Sequence, residues 1–162
     1  MPRTVMTWTK PTVKIALTEA ELTTAGLAIE CQVNSAMLTP QPATVSIPAT
    51  GCAPATNSPG ATGFQLDLAW LQDWSAADAE SLSRFAWDND TEQVWVQVVP
   101  NKDDATTAVM TGPFFCVTGG YGGTFGDGSA GATTASWPAV DKPTIAPNTI
   151  VLAADADATA AA

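Results

Sequence analysis

Gly126, Gly128 and Gly131 repeat the G-x-G-x-x-G spacing of turns that hold the phosphates of a nucleotide. Such a turn needs a strand before the glycines, a helix that opens on them, and an acidic residue about 20 positions further on. The residues that follow here, ATTASWPAVDKP, favour a strand and include two prolines that oppose a helix. We therefore predict a glycine-rich connection between strands and no nucleotide site.

Asp88, Asp90 and Glu92 have the alternating spacing of the acids in a calcium-binding loop. That loop requires a glycine at its sixth position and a glutamate at its twelfth. Gln93 and Val99 stand at those positions. The acids therefore indicate a solvated turn rather than a metal site.

Histidine is absent from the whole sequence, which excludes Ser-His-Asp and Cys-His catalysis and most zinc chemistry. Two carboxylates could serve a glycosidase, but the acids fall in turns and on the polar faces of strands. Four tryptophans cluster around one segment and could form either a sugar platform or part of the core: Trp70, Trp74, Trp87 and Trp95. We expect no catalytic site, cofactor or metal.

The chain is acidic, with 16 Asp and Glu against 6 Lys and Arg and a net charge of −10. Proteins that grip nucleic acid do so with clustered Lys and Arg, and no such cluster occurs here. An acidic surface repels a polyanion, so it would let DNA pass without holding it.

Three cysteines are too few, and odd in number, for a disulfide framework. Cys31 and Cys116 lie among apolar residues of predicted strands, so we expect both to be buried free thiols. We see no signal peptide and no run long enough to span a membrane. These features favour synthesis in a reducing cytoplasm.

Alternation of apolar and polar residues predicts a mainly β, antiparallel fold. It is clearest in LAIECQVN, FQLDLAW and EQVWVQVV, and continues in AVMTGPFFCVT, where Gly112-Pro113 predicts a bulge or an edge position. Weaker strands are predicted at Thr133–Trp137 and Thr12–Leu17. We predict one domain over residues 1–145, followed by a low-complexity extension over 146–162.

One amphipathic helix is predicted in WSAADAESLSRFAWDN, with Ser75 as its N-cap. Its apolar stripe includes Leu82 and Phe85, which we expect to be buried against a sheet.

The segment Ser35–Gly63 holds five prolines and is longer than a hairpin connection needs. We predict that the segment is one long loop, and that its backbone amides are not protected from hydrogen exchange in an isolated subunit. Four apolar residues in it are candidate contacts with another subunit: Met37, Leu38, Val45 and Ile47.

Taken in order, these elements resemble the major tail proteins, or tail tube proteins, of long-tailed, siphovirus-type bacteriophages. The similarity runs from about residue 12 to 145 and includes the long loop, the helix and the closing GGTFGDGSAGATTASWPAVDKPT. The ending W-P-x-x-x-K-P is typical of that family. Asp141 stands where the family commonly has glycine, so the turn there can differ.

The resemblance implies a β-sandwich or split barrel with one flanking helix, assembled as stacked hexameric rings into the tail tube of a virion. Expected partners are the chain itself, a tape measure protein and tail terminator or tip proteins, with DNA passing unbound through an acidic lumen. Candidate lumen-facing residues are Glu30, Gln32, Gln65 and Asp67. The alternative is a β-sandwich binding module that recognises carbohydrate or decorates a virion surface.

Overall fold

The computed structural model describes residues 10–50, 52, 54–74, 81–104, 106–122 and 131–147. Ser75, Gly126 and Gly128, together with residues 148–162 of the predicted extension, lie outside the described residues. In chain order the elements are β1 (Thr12–Ala16), α1 (Glu21–Thr24), β2 (Leu27–Ala28), β3 (Val33–Gln41), β4 (Thr44–Ile47), β5 (Thr56–Pro59), β6 (Gly63–Leu71), α2 (Leu82–Asp88), β7 (Gln93–Val99), β8 (Ala108–Phe115), β9 (Ala132–Pro138) and β10 (Thr144–Pro147).

The described strands form two facing antiparallel sheets and a separate hairpin, which confirms the mainly β fold. One sheet has five strands in the order β10-β8-β7-β1-β2, and the other has three in the order β3-β6-β9. β4 pairs only with β5. Near one corner, Phe114 of β8 bridges to Ala139 just after β9, so the two sheets approach each other as in a split barrel.

The core lies between the two sheets and follows from the alternation along the strands. β6 contributes Leu66, Leu68 and Trp70 to the core, and β7 contributes Val94 and Val96 from the facing sheet. Trp137 of β9 is also fully buried, and its indole N–H donates to the carbonyl of Val117 at 2.8 Å. Both inner faces are therefore apolar, as a sandwich requires.

The predicted strand Leu27–Asn34 is wrong because the chain changes sheet within it. β2 belongs to the five-stranded sheet and β3 to the three-stranded one, and a turn at Glu30–Gln32 separates them. The amides of Gln32 and Val33 both donate to the carbonyl of buried Ile29, which closes that turn. Cys31 consequently lies exposed in the turn instead of buried in a strand. Cys116 is buried as expected, and burial raises the pKa of its thiol to about 12.

The predicted loop Ser35–Gly63 is also not a single loop. Its first part is β3, which pairs with β6 along Val33–Gln41, and its later part contains β4 and β5. The prolines misled the prediction, yet Pro40 lies in an edge strand, where a missing N–H need not remove a ladder hydrogen bond. Met37 and Leu38 are therefore residues of a sheet, and Leu38 packs against the core.

In the described part of the predicted helix, α2 begins at Leu82, and residues 75–80 of the prediction lie outside the described residues. Ser81 has extended backbone angles (φ −78°, ψ 125°), and its hydroxyl accepts from the amide of Arg84, so it is the N-cap. Leu82 is fully buried, whereas Phe85 is partly buried and packs at the margin of the core. A second short helix, α1, was not predicted.

Five predictions of strands agree with the structure, at β1, β6, β7, β8 and β9. Pro113 lies in β8 beyond Thr111, the last residue that pairs with β10, so its missing N–H meets no ladder partner on that side. However, β8 lies between β10 and β7 and pairs with β7 without a register shift, so the predicted bulge or edge position at Gly112-Pro113 is wrong. β10 continues to Pro147, slightly past the predicted domain boundary.

Candidate assembly surfaces

The outward face of the three-stranded sheet is mostly polar. We call it the outer face; it carries Ser35, Met37, Thr39, Gln41, Gln65, Asp67, Ala69, Thr134 and Ser136. The period of two along each strand places these residues opposite the buried ones. Of the four candidate lumen residues, Gln65 and Asp67 lie here.

Asp67 is the centre of a hydrogen-bond network across all three strands of the outer face. Its Oδ1 accepts from Ser136 Oγ at 2.6 Å and from Gln65 Nε2 at 2.7 Å, and its Oδ2 accepts from Thr39 Oγ1 at 2.8 Å. These bonds, led by the one from Ser136, lower the pKa of the Asp67 carboxyl from its ordinary value of 3.8. The outer face therefore keeps a fixed negative charge near its middle.

Glu30 and Gln32 are not part of the outer face. Gln32 turns toward the helix, where its Oε1 accepts from the amide of Leu82 at 2.7 Å and so satisfies a free donor at the start of α2. The Gln32 carbonyl also accepts from the amide of Leu71. Glu30 lies on the wall of a cleft between the sheets. Both were predicted to face the lumen with Gln65 and Asp67 because the alternation in Leu27–Asn34 had placed them on the polar face of a strand.

The hairpin β4–β5 stands apart from both sheets. Its base is closed by a bond from the Gly60 amide to the Ala43 carbonyl at 2.8 Å. All four residues of β4 are exposed, with Val45 at 53% and Ile47 at 48% of their full accessibility. Two large apolar side chains on one face of a protruding hairpin are suited to contact another molecule.

β3 and β9 are the two edge strands of the three-stranded sheet, and the outer side of each pairs with no other strand among the described residues. Unpaired edges of this kind invite pairing with another chain. Met37, beside the free edge of β3, is 62% exposed.

The tryptophans do not form one flat platform. Trp70 is fully buried and donates to Ser83 Oγ at 3.0 Å, while Trp95 lies in β7. Trp74 contacts Trp87 and Tyr121, with interplanar angles of 79° and 81°. Edge-to-face rings do not share the flat surface on which a sugar stacks.

Nor do the acids after α2 gather as metal ligands. Asp90 accepts the amide of Thr118 at 2.8 Å, and Thr91 has a positive φ of 68°, as expected of a tight turn. Among the residues that the structure describes, no group of His, Cys, Asp and Glu could hold a metal ion. No described helix is long and apolar enough to cross a membrane.

Thr39 and Ser136 complete the network at Asp67 and were not among the predicted site residues. A signal for both exists in the sequence, because Thr39 alternates with Leu38 and Ser136 with Trp137. Thr39 was nevertheless not predicted to lie in a strand, because Pro40 and Pro42 indicated a loop.

No protein-family model matches this chain, and no curated protein matches it significantly in sequence. Among solved structures, a chain from the tail of an empty GTA particle, computed with helical refinement and C6 symmetry, superposes with a TM-score of 0.52 at 14% identity, covering 83% of this chain and 94% of that one.

Two further structures agree. A chain from the virion of a native gene transfer agent particle gives a TM-score of 0.50 at 14% identity over 84% of this chain and 95% of that one. A chain of the sheath-tube complex of an extracellular contractile injection system, PVC, in its extended state gives 0.50 at 11% identity over 90% and 92%. This chain therefore has the fold of chains in phage-like tails and injection systems.

Proposed function

We propose that this protein is a non-enzymatic structural subunit of a phage-like tail tube, assembled from its own copies as stacked six-membered rings. The observation that carries the proposal is the shared fold with a chain of a GTA tail reconstructed with C6 symmetry, over nearly the full length of that chain. The resemblance of the sequence to phage major tail proteins points the same way.

The distribution of charge supports self-association through a limited surface. Copies with a net charge of −10 repel each other, so contacts must form where charge is low. No charged residue occurs between Cys31 and Leu66. That stretch contains β3 and the hairpin β4–β5, which can approach a second copy without this repulsion.

The two free edges of the three-stranded sheet support the proposal of a closed ring. In a head-to-tail ring each copy offers two different surfaces, one to each neighbour. The free edges of β3 and β9 lie on opposite sides of the three-stranded sheet and are such a pair of surfaces. Their contact would hide backbone donors and acceptors that would otherwise promote uncontrolled pairing.

The outer face suits the wall of a channel. Asp67 holds its negative charge there, Gln65 stands beside it, and no Lys or Arg is among the residues of the face. DNA would slide past such a wall without the phosphate contacts that retain it. We propose that Gln65 and Asp67 face the lumen, that the tube belongs to a virion tail, and that a tape measure protein and terminator or tip proteins complete it.

The hairpin suits contacts between rings. Val45 and Ile47 are the exposed apolar residues of β4. We propose that these two residues pack on the adjacent ring. Met37, also predicted for this role, is left out because it lies opposite Asp67 on the outer face. Leu38, also predicted for this role, is left out because it faces the core.

Electron microscopy of the purified protein at high concentration tests the proposal. We expect rings with sixfold symmetry and tubes built from them, formed without any cofactor. The matched control is the double variant Val45→Asp/Ile47→Asp, which should form rings but not long tubes. Monodisperse monomers of the natural sequence at every protein and salt concentration would overturn the proposal and favour a binding module.

A further inference from the structure

An apolar cleft of about 690 Å³ lies between β3 and the five-stranded sheet. Its floor is a row of four residues that are cross-strand neighbours, Val13, Val98, Met110 and Ile145. Directly paired residues of antiparallel strands share one face of the sheet. Val13 and Val98 are buried, whereas Ile145 is 68% exposed. The cleft is therefore closed toward β1 and opens at the edge strand β10.

The closed end of the cleft contains a carboxylate oxygen that lacks a partner. The amide of Ile29 donates to the carbonyl of Val13, which places Glu30 beside the start of β1. Glu30 lines the cleft, and its Oε2 is buried without a hydrogen-bond donor among the described residues. A buried acceptor without a donor is unfavourable. The cleft therefore suits an occupant that brings apolar side chains together with a hydroxyl or N–H donor.

One face of the hairpin β4–β5 carries this combination. Val45 pairs with Ser58, and Ile47 pairs with Thr56, so these four side chains lie on the same face of the hairpin. Val45, Ile47 and Thr56 are exposed. The hairpin contains no charged residue that would oppose its entry into an apolar cleft. This face therefore offers two apolar side chains, each beside a hydroxyl donor.

We propose that the hairpin β4–β5 of a second copy fills this cleft, with Val45 and Ile47 against its apolar floor and the Thr56 hydroxyl donating to Glu30. The inference rests on the proposed stacking of rings and names the surface that receives the hairpin. Ile47 and Thr56 lie further than Val45 from the base of the hairpin. They therefore reach the closed end, while Val45 stays near Ile145 at the mouth.

The hairpin cannot fill the cleft of its own subunit, because it extends away from that cleft. It leaves the sheet beyond Gln41, whereas β3 lines the cleft from Val33 to Leu38. No described residue of the hairpin lines the cleft. Contact between two different surfaces of identical copies repeats in one direction and builds an open stack. Rings joined in this way would all point the same way along the tube.

Disulfide trapping in tubes tests the contact with two kinds of chain. One kind carries Val45→Cys and the other carries Ile145→Cys, and both carry Cys31→Ser and Cys52→Ser, which leave only the buried Cys116 as a natural thiol. Positions 45 and 145 are exposed, so neither substitution should unfold the subunit. In tubes grown from an equal mixture, mild oxidation should join the two kinds of chain through positions 45 and 145, as detected by peptide mass spectrometry.

The matched control replaces Val45→Cys by Ser46→Cys, because Ser46 is exposed on the opposite face of β4. The control should give at least about fivefold less of the joined product, since a disulfide needs close Cβ atoms that face each other. Tubes with equal yields from the two variants would contradict the inference and leave the proposed stacking intact. The cleft would then belong to another occupant, such as the residues that precede Lys10. Absence of tubes from the natural sequence would contradict both proposals.

A second readout without added cysteines is the protein concentration at which tubes first form. Thr56→Val removes the hydroxyl and keeps the shape of the side chain, so it should raise that concentration by about fivefold or more. In the Glu30→Leu background, the same substitution should change it by less than about twofold, because the two residues no longer interact. Equal effects of Thr56→Val in both backgrounds would show that Thr56 does not contact Glu30 and would overturn the inference.

Discussion

The outer face and the hairpin β4–β5 differ in how their side chains find partners. On the outer face, Asp67 is bonded to Thr39, Gln65 and Ser136 from three strands. On the hairpin, Val45 and Ile47 are about half exposed. The first surface is complete within one subunit, whereas the second exposes apolar area that only another molecule can cover.

This difference indicates that the stability of the subunit and its assembly depend on different parts of the molecule. Changes to the sheets should alter the free energy of unfolding of the single subunit. Changes to the hairpin should alter assembly and leave the subunit folded. The predictions below test that separation, beginning with the largest expected effect.

Excision of the whole hairpin should abolish tubes. The carbonyl of Ala43 and the amide of Gly60 are already hydrogen bonded, so Thr44–Pro59 can be replaced by Asn-Gly with little strain on β3 and β6. We expect no tubes in electron micrographs and a melting temperature close to that of the full chain. Loss of folding in this variant would show that the hairpin belongs to the subunit's own core.

Leu68→Ala and Val45→Ala form a matched pair for stability. Leu68 is 2% exposed in β6, so its truncation should lower the free energy of unfolding by about 2–5 kcal/mol. Val45 is 53% exposed, so its truncation should change that free energy by no more than about 0.5 kcal/mol. Urea denaturation of the monomer measures both. Equal losses would contradict the separation.

Asp67→Asn should weaken the outer face in a way that depends on pH. The lowered pKa means that Asp67 stabilises the folded state above its ordinary value of 3.8, and this contribution is lost as pH falls from there through the folded pKa. The difference in unfolding free energy between the natural sequence and Asp67→Asn should therefore be largest at neutral pH and shrink below 3.8. Asp141→Asn, at an exposed bend, is the control substitution.

The smallest expected effect is a change in thiol reactivity. Cys52 lies exposed between β4 and β5, whereas Cys116 is buried with its pKa raised to about 12. In the Cys31→Ser variant, a thiol reagent near pH 8 should modify about one thiol per monomer and almost none in tubes. Full reactivity of Cys52 in tubes would place the hairpin connection away from the contact between rings.

Part of this architecture could be predicted from the sequence, because β6, β7 and β9 alternate cleanly and turn their apolar residues to the core. The same alternation failed at Leu27–Asn34, since it cannot show that a chain leaves one sheet and joins another at Ile29. Local pattern also could not reveal β3, whose single proline, Pro40, is tolerated because β3 is an edge strand.

The candidate site was predicted only in part for the same reason. Gln65 and Asp67 share a strand that the pattern placed correctly. Their partners Thr39 and Ser136 come from strands far apart in sequence, so the network depends on pairing that the sequence does not display. The unpartnered oxygen of Glu30 likewise becomes visible only once the two sheets face each other.

Helical reconstruction of tubes grown from the purified protein by cryo-electron microscopy tests the central claim most directly. The account predicts six copies per ring, Asp67 and Gln65 on the wall of the channel, and Val45 and Ile47 in contact with the next ring. A tube in which Asp67 and Gln65 lie on its external surface would contradict the account. So would a tube in which the β4–β5 hairpin contacts no neighbouring ring.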